Sequence, residues 1–124
     1  MVGLVLVAHS AGLAVETAAL ARSVAGEDTP IAAAGGAAAG GLGTSVDVIE
    51  KALRTVEQGD GVVVIADLGS SVLSARLLEE PGRVVLADAP FVEGAIAAAV
   101  AAGGGAALAD VLAAAEEARG FRKL

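Results

Sequence analysis

The sequence has no cysteine, tryptophan or tyrosine, a single histidine, and only two aromatic side chains, Phe91 and Phe121. Without cysteine there is no disulfide, no thiolate nucleophile and no Cys-ligated zinc. One histidine would leave a metal to carboxylates for almost every ligand, so neither a metal nor another cofactor is expected. The dearth of aromatics removes the platforms on which bases and sugars stack. Positive charge is scarce too: Lys51, Lys123 and six scattered arginines stand against 15 acids, for a net charge of −7. No basic stripe exists to follow a phosphate backbone, which argues against nucleic acid.

Long apolar runs are also missing. The uncharged stretch from Gly94 to Ala109 is too short, and too rich in Ala and Gly, to span a bilayer, so no membrane partner is expected. No Lys or Arg precedes Arg22, so the start of the chain lacks the positive region of a secretory signal. A cytoplasmic location is the expectation. The 124 residues are expected to form one domain, 1–124.

What is present is an alternation of strand and helix patterns. Val2–Ala8, Gly61–Ala66 and Arg83–Ala87 are continuous aliphatic runs, the mark of strands buried on both faces. Pro30–Ala34 is a weaker strand. Helical spacing predicts helices over Gly12–Ala25, around Val46–Val56, over Ser70–Glu80 and Phe91–Ala102, and around Leu108–Ala115. The order β-α-β-α-β-α-β-α-α predicts an α/β fold: an open parallel sheet of about four strands with helices on both faces. The low-complexity stretch Ala32 to Gly43 reads as a flexible loop, and Glu116 to Leu124 as a fraying end.

The lone imidazole stands out by position. His9 ends the first strand, where ligands gather in open α/β sheets, and precedes the small turn Ser10-Ala11-Gly12 that opens a helix. An imidazole titrating near neutrality attacks phosphorus and still leaves readily, which suits a transient covalent carrier. Asp67 ends a second strand and could hold one ring nitrogen, leaving the other free as nucleophile. Ser10, Gly69, Ser70 and Ser71 stand at the two helix starts and are candidate phosphate-binding residues.

Other chemistries fail on residues. Ser10 as an elbow nucleophile needs a histidine later in the chain, and none follows. Gly35–Gly43 mimics a phosphate loop, but Gly41 and Leu42 occupy the places of its Lys and hydroxyl residue, and Val46 stands where a dinucleotide fingerprint has its third glycine. A phospho-aspartate receiver would need an acidic pair after the first strand, where Ala8-His9-Ser10 stands, and a late Lys, where Asp88 stands. The block Ala89-Pro90-Phe91-Val92-Glu93-Gly94 reads as a structural helix start, with Pro90 fixing the turn and Glu93 suiting the helix dipole.

Taken in order, Leu4-Val5-Leu6-Val7-Ala8-His9-Ser10, Ala33-Ala34-Gly35, Gly43-Thr44, Asp67-Leu68-Gly69-Ser70, Leu73-Ser74-Ala75 and Ala89–Gly94 resemble a known pattern. It is that of the phosphotransfer subunits (DhaM) of phosphotransferase-system-dependent dihydroxyacetone kinases, whose core domain is similar to mannose-family enzyme IIA. The resemblance implies an enzyme IIA-like fold and a phosphoryl relay. The phosphocarrier HPr would donate to His9, and phospho-His9 would pass the group to ADP on the kinase's nucleotide-binding subunit (DhaL). By position His9 is the phosphorylated residue and Asp67 the acid that orients it. The family is expected to form homodimers. Some members append further carrier domains that this sequence lacks, so a separate HPr is expected. The all-Ala/Gly loop Gly36–Gly41 departs from acids found in relatives. Two other readings stay open: the enzyme IIA domain of a mannose-type sugar-transport system, and a non-catalytic α/β binding module.

Overall fold

Four aliphatic segments form strands β1 (Gly3–Ala8), β2 (Ile31–Gly35), β3 (Val62–Ala66) and β4 (Val84–Leu86). Helices α1 (Ala11–Ala25), α2 (Val46–Val56), α3 (Gly69–Arg76) and α4 (Phe91–Gly103) follow the strands in turn, and α5 (Leu108–Glu117) closes the order. The computed structural model describes the whole chain, Met1–Leu124. All four strands are parallel, with helices on both faces, as the alternation predicts; their order across the sheet is β2-β1-β3-β4.

The strand pleat divides the core in two. Leu4 and Leu6 of β1 and Val63 and Ile65 of β3 face one layer, where they meet alanines of α1 and α4 and Val111 of α5. Val5 and Val7 of β1, with Val62 and Val64 of β3, point the other way onto Ile49, Leu53 and Val56 of α2 and Ala75 of α3. Every residue of β1 is buried, which explains why its sequence is a continuous apolar run rather than an alternation. Burying each large aliphatic side chain contributes about 1.5–3 kcal/mol. The many alanines are functional packing units: Ala95, Ala98, Ala99 and Ala102 let α4 lie close on the sheet. No helix is long and apolar enough to cross a membrane.

Three expectations need correction. α3 stops at Arg76 rather than reaching Glu80, because the chain must turn: Glu80 N–H donates to Val84 C=O at 3.0 Å, and Pro81 disfavours helix at the residue before it. The stretch Ala32–Gly43 is irregular only from Gly36 onward, since Ala32–Gly35 pair with Val5–Ala8 in the sheet. Glu116–Leu124 does not fray as a whole. α5 runs to Glu117, Ala118 is buried, and the tail is tied back: Arg119 pairs with Asp88 at 2.8 Å and Lys123 with Glu93 at 2.8 Å. That second pair holds the Glu93 carboxyl below its ordinary pKa and the Lys123 ammonium above its own, through the hydrogen bond between them.

Candidate active site

The chain leaves β1 toward β2 and leaves β3 toward β4, on opposite sides, so the sheet's switch point falls between β1 and β3. A crevice opens beyond the carboxyl ends of strands at such a point. Val7 stands opposite Ala66 in the register, so His9 and Asp67 leave the two central strands side by side. Backbone bonds fix both. Asp67 N–H donates to Val7 C=O at 3.0 Å, and Gly43 N–H donates to His9 C=O at 3.0 Å.

The Asp67 carboxylate reaches His9 twice. Its Oδ2 accepts the His9 backbone N–H at 3.1 Å, and its Oδ1 lies 3.3 Å from ring Nδ1. Oδ1 also accepts the Leu68 N–H at 2.7 Å and the Ser71 hydroxyl at 2.6 Å. Burial, the largest single influence, pushes this carboxyl up. The hydrogen bonds from Ser71, from the His9 and Leu68 N–H groups and from the His9 ring outweigh it and hold the pKa below 3.8. Asp67 is therefore an anion at neutral pH. The His9 side chain is 26% exposed and that of Asp67 only 10%, so the ring reaches solvent while the acid stays sheltered behind it.

The serines divide by role. The Ser10 hydroxyl caps α1, accepting Leu13 N–H at 3.3 Å, so it is committed to the helix rather than presented to a ligand. Ser70 is exposed, with Oγ 2.5 Å from His9 Nε2. Ser71 is wholly buried, with its hydroxyl on the other side of the ring, 3.0 Å from Nδ1. Gly69, Ser70 and Ser71 form the first turn of α3, whose preceding residue Leu68 offers no capping side chain. Their N–H groups find no acceptor in the protein, and neither α1 nor α3 has an acid in its first turn. The N-terminus of α3 thus lies beside Nε2, an arrangement that favours an anion, and α1 begins two residues after His9. Residues missed from the sequence hold the frame: Gly43 through its bond to His9, and Thr44, whose Oγ1 lies 2.8 Å from Ser74 Oγ and links the glycine loop to α3. Gly43-Thr44 entered the sequence reading as one block of the family resemblance, with no role assigned.

Residues 3–112 match a family model described as the fructose IIA component of the phosphotransferase system, the mannose-type enzyme IIA family. The chain belongs to that family. It is DhaM-like within it. It is 37% identical over 121 residues to the phosphoryl donor subunit DhaM of the PEP-dependent dihydroxyacetone kinase of Klebsiella michiganensis, covering 90% of this chain and 26% of that one. The Escherichia coli K12 subunit of the same name is 37% identical over 115 residues, covering 86% and 24%. The chain therefore spans about a quarter of the length of these two relatives. The DhaM subunit of kinase 2 from Listeria innocua is 32% identical over 109 residues, covering 81% of this chain and 85% of its own. In structure the chain is similar to a crystallised protein of unknown function, EF1359, with a TM-score of 0.84, 31% identity and coverage of 100% and 99%.

Proposed function

We propose that this chain is the phosphoryl carrier of a PTS-dependent dihydroxyacetone kinase, working in the cytoplasm and accepting phosphate from phospho-HPr on His9. The observation that carries the reading is the pairing at the sheet crest: a solvent-reaching imidazole backed by an anionic carboxylate, with Nε2 beside an open helix N-terminus. The neutral ring carries its proton on Nδ1, the nitrogen on the side of Asp67 and Ser71, and keeps the Nε2 lone pair. That lone pair attacks phosphorus, a P–N bond forms at Nε2, and the bond between phosphorus and the donor breaks. In the second step a β-phosphate oxygen of ADP, held on the partner kinase subunit, attacks the same phosphorus and the P–N bond breaks. No metal ligand from this chain enters either step. The N–H groups of Gly69, Ser70 and Ser71 stabilise charge on the transferring oxygens, which is the main help phosphoryl transfer needs from a protein.

Homodimer formation belongs to the same proposal. It is supported by the exposed apolar side chains Leu13, Leu20 and Val24 on α1 and Val100 on the neighbouring α4. The family model's sugar-component description favours one second reading, the IIA domain of a sugar-transport system. Incubation with enzyme I, HPr and labelled phosphoenolpyruvate is expected to place acid-labile, base-stable phosphate on the wild-type chain and none on His9→Ala. Undiminished label on His9→Ala would refute the carrier role of His9.

A further inference from the structure

From the hydroxyl geometry we infer that Ser71, not Asp67 directly, is the group that holds the Nδ1 proton of His9, so that the ring is set by a His–Ser–Asp relay through the buried Ser71 hydroxyl. This deepens the carrier reading above and rests on it for its catalytic meaning. Donor and acceptor counting assigns the protons. Asp67 Oδ1 is 2.6 Å from Ser71 Oγ, and an ionised carboxylate only accepts, so the single hydroxyl proton of Ser71 points to Asp67. A serine oxygen that has given its proton still offers lone pairs. The His9 Nδ1 lies 3.0 Å from that oxygen, closer than its 3.3 Å to Asp67 Oδ1. Nδ1 must therefore donate, principally to Ser71, and Nε2 is left as the lone-pair nitrogen. Ser70, 2.5 Å from Nε2, fits the same assignment because its hydroxyl can donate there.

Burial makes the relay firm. Ser71 has no exposed surface, so water does not compete for its hydroxyl, and its place in the first turn of α3 fixes Oγ four residues beyond Asp67. A free histidine side chain favours the opposite, Nε2–H tautomer, whose nucleophilic nitrogen would face Asp67 and not the crevice. Ser71 is thus a positioning residue: it never meets the phosphoryl group through its side chain, but it decides which nitrogen does.

With one histidine in the chain, nitrogen-15 NMR of the neutral ring reads the tautomer without overlap. The full-length wild type is expected to show Nδ1–H as the main form. In Ser71→Ala the Nε2–H form should rise several-fold, and the rate of phosphorylation by phospho-HPr should fall about tenfold, the usual effect of losing a partner that orients a reactive imidazole. Because the two residues act in series, Ser71→Ala should cost little more in an Asp67→Asn background. A wild-type ring that is mainly Nε2–H, or a folded Ser71→Ala with unchanged tautomer ratio and rate, would overturn the relay. Absence of phosphate on wild-type His9 would instead refute the carrier reading, since the tautomer readout needs no phosphoryl donor.

Discussion

At the scale of single residues, the site depends on a carboxylate that stays ionised where it is only 10% exposed. Four hydrogen bonds outweigh the burial that would otherwise neutralise it. Asp67→Asn is expected to fold and to lower the rate of phosphoryl uptake by about 10–100-fold, measured by rapid-quench labelling; wild-type rates would remove Asp67 from the mechanism. Its folded pKa is depressed, so its stabilising effect is fully present above the unfolded value near 3.8 and is lost as pH falls through the lower folded pKa. The stability gap between wild type and Asp67→Asn, from urea unfolding, should therefore be constant near neutrality and shrink below about pH 3.8. A gap that widens in acid would contradict the sign. His9 and Asp67 were legible in the sequence because each ends an unmistakable buried strand. Ser71 was legible only as a helix-start serine. Which side of the ring its hydroxyl takes depends on the turn from β3 into α3, and residue spacing does not encode that.

At the scale of elements, the position of His9 is set by how closely β2 approaches the turn into α1. A Cβ on Gly35 would lie 2.6 Å from Ser10 O and 2.7 Å from Ala11 Cα, so the strand end fits only without a side chain. Gly35→Ala is expected to destabilise the protein by about 1–3 kcal/mol through overpacking. Because the clash pushes on the residues just after His9, it should also slow labelling. Urea unfolding and labelling rates check both, and an unaffected rate at lowered stability would separate this contact from the site. The central strands and α2 were readable from periodicity, since apolar residues recur on the faces that the sheet buries. The Ala/Gly stretch was readable only in part: Pro30–Ala34 read as a weak strand, but its boundary with the loop did not, because alanine carries little preference between the two when its packing partners are unknown. Ala32–Gly35 became strand by pairing with β1. The tail was misjudged for a related reason: its order comes from Arg119 and Lys123 meeting acids about 30 residues earlier in the chain.

At the scale of the whole molecule, the net charge of −7 is not spread over the crest. Residues 1–15 contain no acid, Lys or Arg, residues 29–46 contain none either, and residues 61–75 contain only Asp67. These segments supply β1, β2, β3 and the turns at their carboxyl ends, so an anionic phosphodonor approaching His9 meets helix N-termini and little negative charge. The remaining strand end carries Asp88, which Arg119 pairs. The parallel sheet with helices on both faces followed from the alternation of elements, whereas the strand order β2-β1-β3-β4 is set by packing that the alternation leaves open. Partner surfaces do not follow from such rules, because they depend on side chains that local structure leaves free. The most direct measurement is reconstitution of dihydroxyacetone phosphorylation from purified kinase subunits, ADP, enzyme I, HPr and phosphoenolpyruvate. Triose phosphate is expected only when this chain is added, and His9→Ala should restore none of it. Full turnover without the chain, or with His9→Ala in its place, would contradict the phosphoryl-carrier role.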